Sequence, residues 1–348
     1  MSRVLAVRSD NAGDVLLMGP ALRAMAAGAE SLTLLAGPHG REVGELLPGV
    51  DDVLTWRSPW IDARPGPVDP DDVRDLVARL SARRFDAAVV LTSFHQSPLP
   101  TALLLRLAGV PRVCAISEDY PGSLLDVRHR VEGDPPEPER ALSLARASGF
   151  DLPQGDDGRL AVRRPLPAVD DLDGLREPPY VVVHPGTSVP ARGWFADRWR
   201  ATCELLAAQG LRVVVTGSPD ETALTAEVAG RSAVDLGGRT SWAQLAAVLG
   251  GASAVAVGNT GAAHLAAAVG TPVVSLFAPT VPAARWAPYG VATVLLGDQH
   301  AVCRDTRVID CPFEGHPCMA AVTPQDVLDA VASLVDVRGP ALVTGGAA

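Results

Sequence analysis

The sequence predicts an α/β fold, doubly wound and divided into two domains. Short apolar runs alternate along the chain with segments of helical period, the pattern that buried parallel strands and their covering helices leave in a sequence. Residues 151–179, rich in Asp, Gly and Pro, carry no apolar period and interrupt that alternation. A chain of 348 residues has room for two units of about 100–200 residues each.

Strands are expected at 4–7, 32–36 and 87–91 in the first half, and at 181–183, 213–215, 254–257 and 273–277 in the second. Helices are expected at 73–80, 101–108, 201–208, 242–249 and 264–269. Pro20 should kink or restart the helix after the first strand, because it lacks an N–H and its ring crowds the preceding turn. The Pro-rich stretch 57–70 is long for a connection inside a domain and reads as a functional loop. The division is then 1–165, a linker at 166–179, and 180–323, followed by a helix at 324–337. That helix opens on Thr323 as N-cap with Pro324 in its first turn, and is expected to pack back on the N-terminal domain. The last dozen residues are expected to fray.

Thirty basic against 40 acidic residues leave a net charge of −10, a surface poorly suited to a nucleic-acid backbone, and no basic patch offsets it. The chain contains no lysine, which excludes a Schiff-base lysine, a Ser/Lys pair and a P-loop. Cys114, Cys203, Cys303, Cys311 and Cys318 are odd in number, in a chain long enough to fold without disulfides, so a reducing cytoplasm is expected. The first apolar run is cut by Arg8 and Asp10, too short for a signal peptide, and no run reaches the ~18–20 residues of a membrane span.

Three segments carry chemistry. In the first, Asp10, Asn11, Gly13 and Asp14 follow the first strand, at the sheet edge where doubly wound domains bind ligands. Only one of the glycines of a dinucleotide fingerprint is present, which disfavours NAD. Asp14 reads either as a helix N-cap or as a general base for a hydroxyl nucleophile. In the second, a strand runs into Pro185-Gly186, Thr187, Ser188 and Arg192, whose hydroxyls, backbone N–H groups and guanidinium would cradle phosphate oxygens, unless this is an ordinary turn with a surface Arg. In the third, Gly258-Asn259-Thr260-Gly261 joins a strand to an Ala-rich helix whose N-terminus favours an anion, with His264 one turn in.

Together these segments resemble the ADP-heptose:lipopolysaccharide heptosyltransferases, glycosyltransferase family 9, from the first strand to about Tyr289. The matches are Arg8, Gly13 to Leu16 and Pro20 to Ala24; His184 to Ser188, Arg192 and Trp194; and Thr260 through Thr280. The resemblance implies a GT-B fold, two Rossmann-like domains facing across a cleft, and an inverting reaction that needs no metal or other cofactor. It implies Asp14 as the base, and Thr187, Ser188, Arg192, Thr260, Gly261 and His264 around the donor diphosphate. It also implies Glu221 near the donor ribose, Thr240 at the base, and Asp10 and Asn11 toward the acceptor. The donor would be a nucleotide-sugar, ADP-heptose, and the acceptor a glycan, glycolipid or small natural product, met in the cytoplasm or at the inner face of the membrane. Two departures stand out: Asn259 replaces the family's sugar-contacting Asp, and Arg192 replaces its usual Lys, keeping the anion-binding role as a bidentate fork. A nucleotide-sugar epimerase of the same architecture and a non-catalytic nucleotide-sugar binder are the alternatives.

Weaker signals remain. Cys303, Cys311 and Cys318 with His316 suggest a metal but lack the close Cys pair of common zinc sites. Asp171 and Asp173 form a D-x-D within an acidic linker. Trp56, Arg57, Trp60, Arg64 and His95 are candidates for an acceptor pocket, set against core and surface roles.

Overall fold

The computed structural model describes residues 2–338 apart from 63–64, 170–171, 173–174 and 176–178. Arg64, Asp171, Asp173 and the final ten residues, on which earlier expectations fall, lie outside the described residues. The chain divides into two compact units, Met1–Arg164 and Pro165–Ala348.

The first unit runs β1 (Arg3–Arg8), α1 (Ala12–Leu17), α2 (Gly19–Gly28), β2 (Ser31–Ala36), α3 (Arg41–Leu46), β3 (Asp52–Thr55), α4 (Pro70–Arg83), β4 (Ala87–Val90), α5 (Leu99–Leu107), β5 (Arg112–Ile116), β6 (Val127–His129) and α6 (Glu137–Ala147). Its described strands form a parallel six-stranded sheet ordered β3-β2-β1-β4-β5-β6. The order reverses between β1 and β4, and it is beyond the carboxyl ends of such a pair that open α/β sheets hold their ligands. β1 is buried from Val4 to Arg8, so a cation lies at the end of an apolar strand. Pro20 restarts the chain: α1 stops at Leu17 and α2 opens at Gly19, with Met18 capping one and opening the other. The irregular segment after α6 packs on this same unit. Arg23 grips Asp156 through Nε at 2.6 Å and Nη2 at 2.8 Å, and the Arg163 amide donates to the Leu46 carbonyl at 2.8 Å.

The second unit runs β7 (Tyr180–His184), α7 (Ala196–Ala208), β8 (Arg212–Val215), α8 (Thr222–Ala229), β9 (Val234–Asp235), α9 (Trp242–Gly251), β10 (Ala254–Gly258), α10 (Gly261–Val269), β11 (Val273–Leu276), α11 (Ala283–Trp286), β12 (Thr293–Leu296), α12 (Pro317–Ala320) and α13 (Pro324–Arg338). Its described sheet is again parallel and six-stranded, ordered β12-β11-β10-β7-β8-β9. Counted from each unit's first strand, the two orders are identical, and the second reverses between β7 and β10.

The terminal helix packs within the second unit. α13 lays Val327, Val331 and Leu334 into the core of the second unit, with Val181, Ala254 and Val274 from its strands and Trp199 and Leu206 from α7. Those apolar positions recur at helical spacing, and the nearest apolar face in the chain is this sheet's own. Thr323 does cap the helix: its amide donates to Asp326 Oδ2 at 2.8 Å, and the Asp326 amide donates back to Thr323 Oγ1 at 3.2 Å. Among the described residues no helix is long and apolar enough to cross a membrane.

Candidate active site

At the switch point of the first sheet, the chain turns after Arg8 into Ser9 and Asp10 and opens α1 on Asn11. Asn11, not Asp14, is the N-cap; it makes no side-chain capping bond and is exposed. Asp14 sits two residues past the helix start, where a carboxylate also meets the positive end of the helix, and its side chain is 22% exposed. Its Oδ1 accepts from Arg8 Nη2 at 3.0 Å. Arg8 is wholly buried, and its Nη2 also donates to Ser93 Oγ at 2.8 Å, just beyond β4. The Nε lies 2.7 Å from Asp10 Oδ2, and Nη1 lies 3.9 Å from Glu137 Oε2 at the start of α6.

Burial works against the Arg8 charge, but the carboxylates of Asp10, Asp14 and Glu137 outweigh it and hold the proton more tightly than usual. Burial also pushes the Asp10 carboxyl up to about 6, with Arg8 pulling against it. Both Asp10 oxygens are engaged, one by Arg8 and the other by the Gln96 amide, so little of this side chain faces a ligand. Asp14 is the carboxylate of the group that keeps a solvent face. Glu137, Arg140, Ser93 and Gln96 were not singled out from sequence. The signal that would have found them is Arg8 itself, since a charge ending a buried strand must be met by partners.

In the second unit, the loops after β7, β8 and β10 converge. Gly186, after β7, faces the Glu221 carboxylate so closely that a methyl group there would overlap it. Glu221 closes a capping box with Ser218, its Oε2 accepting from the Ser218 amide at 2.8 Å. At Gly258, the end of β10, an added methyl would stand 2.8 Å from Thr187 Cγ2 and 3.5 Å from the Arg192 carbonyl oxygen. Glycine at these two positions is therefore what allows the loops to touch. The Thr187 hydroxyl donates to the Val189 carbonyl at 2.9 Å, Ser188 is exposed, and Arg192 ends a 3-10 turn over 190–192. That turn is held by the Ala191 amide donating to Ile309 at 2.9 Å and by His316 Nε2 at 3.1 Å from the Ala191 carbonyl oxygen.

Beyond Gly258, Asn259 is buried and its Nδ2 finds no acceptor among the described residues. Thr260 is the N-cap of α10 without a side-chain capping bond, Gly261 is the first helical residue, and His264 is buried one turn in. His184, ending β7, pairs through Nδ1 with Thr216 Oγ1 at 2.9 Å; burial lowers its basicity, with Glu221 pulling the other way. Thr240 is half-buried beside Ser241, the N-cap of α9, and its loop is tied to the β8 loop by the Gly238 amide donating to Gly217 at 3.0 Å.

The remaining candidates have other partners. Trp56 is buried, its indole N–H donating to Asp72 at 2.7 Å, and Trp60 donates to Thr101 at 3.1 Å. Arg57 pairs with Asp62 at 2.6 Å, and the exposed His95 packs edge-on against Phe94. Cys303 and Cys318 are buried free thiols, Cys318 pushed up to about 12 by burial and by its neighbour Cys303, while Cys311 is half-buried. Among the described residues no three His, Cys, Asp or Glu side chains gather as a metal site.

Comparison with known proteins gives the family and the fold. Lipopolysaccharide heptosyltransferase 1 of Pseudomonas aeruginosa is 29% identical over 359 aligned residues, which cover 93% of this chain and 96% of its own length. The structure of Escherichia coli ADP-heptose lps heptosyltransferase II superposes with a TM-score of 0.74 at 21% identity, covering 98% of this chain and all of its own. Escherichia coli heptosyltransferase WaaC with ADP-2-deoxy-2-fluoro heptose superposes with a TM-score of 0.72 at 22% identity, covering 95% and 99%. These superpositions identify the fold as GT-B. The sequence profile described as glycosyltransferase family 9 (heptosyltransferase) matches residues 73–316, well over half the chain. On that match the chain belongs to glycosyltransferase family 9 and is a glycosyltransferase.

Proposed function

We propose that the chain transfers heptose from ADP-heptose to a hydroxyl of a lipopolysaccharide-type glycolipid, with inversion and without a metal, Asp14 acting as general base. The observation that carries this reading is Asp14 itself: a part-exposed carboxylate at a sheet's switch point, with one oxygen tethered to a buried guanidinium. The acceptor oxygen forms a bond to the anomeric carbon as the bond from that carbon to the diphosphate breaks, and the hydroxyl proton passes to Asp14. Negative charge grows on the departing diphosphate. The N–H groups at the start of α10, the Arg192 guanidinium and His264 supply the compensating field. Ser188, Thr187 and Thr260 add hydroxyls, with Thr187 redirecting its proton from Val189 on binding. Glu221 is read as a ribose contact and Thr240 as a backbone contact to the base.

The donor is inferred from relatives named as lipopolysaccharide and ADP-heptose transferases. Within this chain the inference is supported by the buried Asn259 amide, a donor that a sugar oxygen would satisfy. Calorimetry of ADP, UDP, GDP, dTDP and ADP-heptose with the purified chain tests it. Selective binding of ADP and ADP-heptose is expected, and preference for another nucleotide would overturn the donor assignment while leaving the family intact.

A further inference from the structure

Glu137 opens α6 with its side chain 1% exposed, and its Oε2 lies between two guanidiniums, 3.9 Å from Arg8 Nη1 and 3.6 Å from Arg140 Nη1. Arg140 in turn donates to the Thr92 carbonyl just beyond β4, fixing the start of α6 to the switch point. Ser93, the next residue, takes the other terminal nitrogen of Arg8 at 2.8 Å. An interior ion pair is a poor source of stability, because removing the charges from water costs about as much as their attraction returns. What such a pair supplies is direction. A guanidinium is a rigid planar fork, and one hydrogen-bonded to Ser93 through Nη2 and flanked by the carboxylates of Glu137 at Nη1 and Asp10 at Nε has a fixed bearing toward Asp14.

We propose that Arg8, clamped by Glu137 and Ser93, is the positioning residue for Asp14, and that Glu137 and Ser93 serve the transfer reaction through it without touching substrate. This rests on the reading of Asp14 as the base. With Oδ1 tethered to Arg8, Oδ2 is the oxygen presented to the acceptor proton. A carboxylate free to turn would offer that lone pair only part of the time, and a misplacement of about 1 Å at a reacting group costs on the order of a hundredfold in rate.

The test is steady-state kinetics of the full chain with ADP-heptose as donor and heptose-deficient lipopolysaccharide as acceptor, for Glu137→Gln and Ser93→Ala, each alone and combined with Asp14→Asn. Either single change should lower kcat by about tenfold or more with the donor KM and ADP affinity unchanged. In the Asp14→Asn background neither should lower it further, because the group they orient is already gone. Full kcat in folded Glu137→Gln and Ser93→Ala, or losses that multiply with that of Asp14→Asn, would overturn the proposal. Should Glu137→Gln fail to fold, leaving two buried cations short of a counter-charge, Ser93→Ala deletes one hydroxyl and decides the question by itself. Near-normal turnover of Asp14→Asn alone would instead remove the base reading on which the proposal stands.

Discussion

Arg8 and Asp14 are joined at 3.0 Å between Nη2 and Oδ1, across the turn that carries the chain from its first strand into its first helix. One partner is wholly buried and the other keeps a face to solvent. Arg8 also balances Asp10 and Glu137, so its removal would leave three carboxylates short of a counter-charge. Arg8→Met should lower stability by about 3–5 kcal/mol in urea unfolding, the cost of breaking a buried ionic group from one side; a change under about 1 kcal/mol would mean that the pairing contributes little.

The raised Asp10 carboxyl gives a second handle. It holds its proton up to about pH 6 when folded, against about 3.9 when unfolded, so between those values the folded chain binds a proton that the unfolded chain has lost. Asp10 therefore weakens the folded state above pH 6, and that cost fades as the pH falls toward about 4. In unfolding experiments at about pH 7.5 and about pH 5, the stability difference between the wild type and Asp10→Asn should move in favour of the wild type at the lower pH. A difference independent of pH would contradict the assignment.

Asn259 makes an opposite prediction for apo stability and binding. A buried donor without an acceptor costs about 1–3 kcal/mol, so Asn259→Ala should leave the apo melting temperature unchanged or raise it. Calorimetry should show ADP binding as before and ADP-heptose binding weakened to the level of ADP. A lowered melting temperature with unaltered ADP-heptose affinity would make Asn259 a structural residue.

Arg192 is predicted to hold the diphosphate as a two-pronged donor. Arg192→Ala should weaken ADP by about 10- to 100-fold, the loss expected for charge-assisted hydrogen bonds, and leave the fold intact. Arg192→Lys should recover only part of it, since a point charge replaces a fork. ADP affinity unchanged in Arg192→Ala would remove this residue from the donor site.

The parts of this architecture legible in the sequence are those where period and burial agree. β10 and β7 are buried throughout and read as continuous apolar runs, and α9 announces itself with Ser241 and a Gln three residues on. The strands that went unread include the sheet margins: β6, β9 and β12 are half-buried and short, so their sequences alternate too little to be told from loop. At the site, Asp14, Arg192, Thr260 and His264 stood out because the turns carrying them are contiguous in sequence. Glu137 did not, because its meeting with Arg8 is made by the β1–β4 switch point and the packing of α6, and a Glu-Pro-Glu-Arg run reads as a solvated helix start. The same long-range packing put Trp56 into the core and α13 onto the second sheet.

The role proposed for Asp14 is to take the proton from the acceptor hydroxyl. It is tested most directly by comparing wild type and Asp14→Asn in turnover of ADP-heptose with heptose-deficient lipopolysaccharide, alongside their ADP affinities and melting temperatures. A loss of about 10²- to 10⁴-fold in kcat with binding and folding unchanged is expected. Turnover within a few-fold of wild type would contradict it.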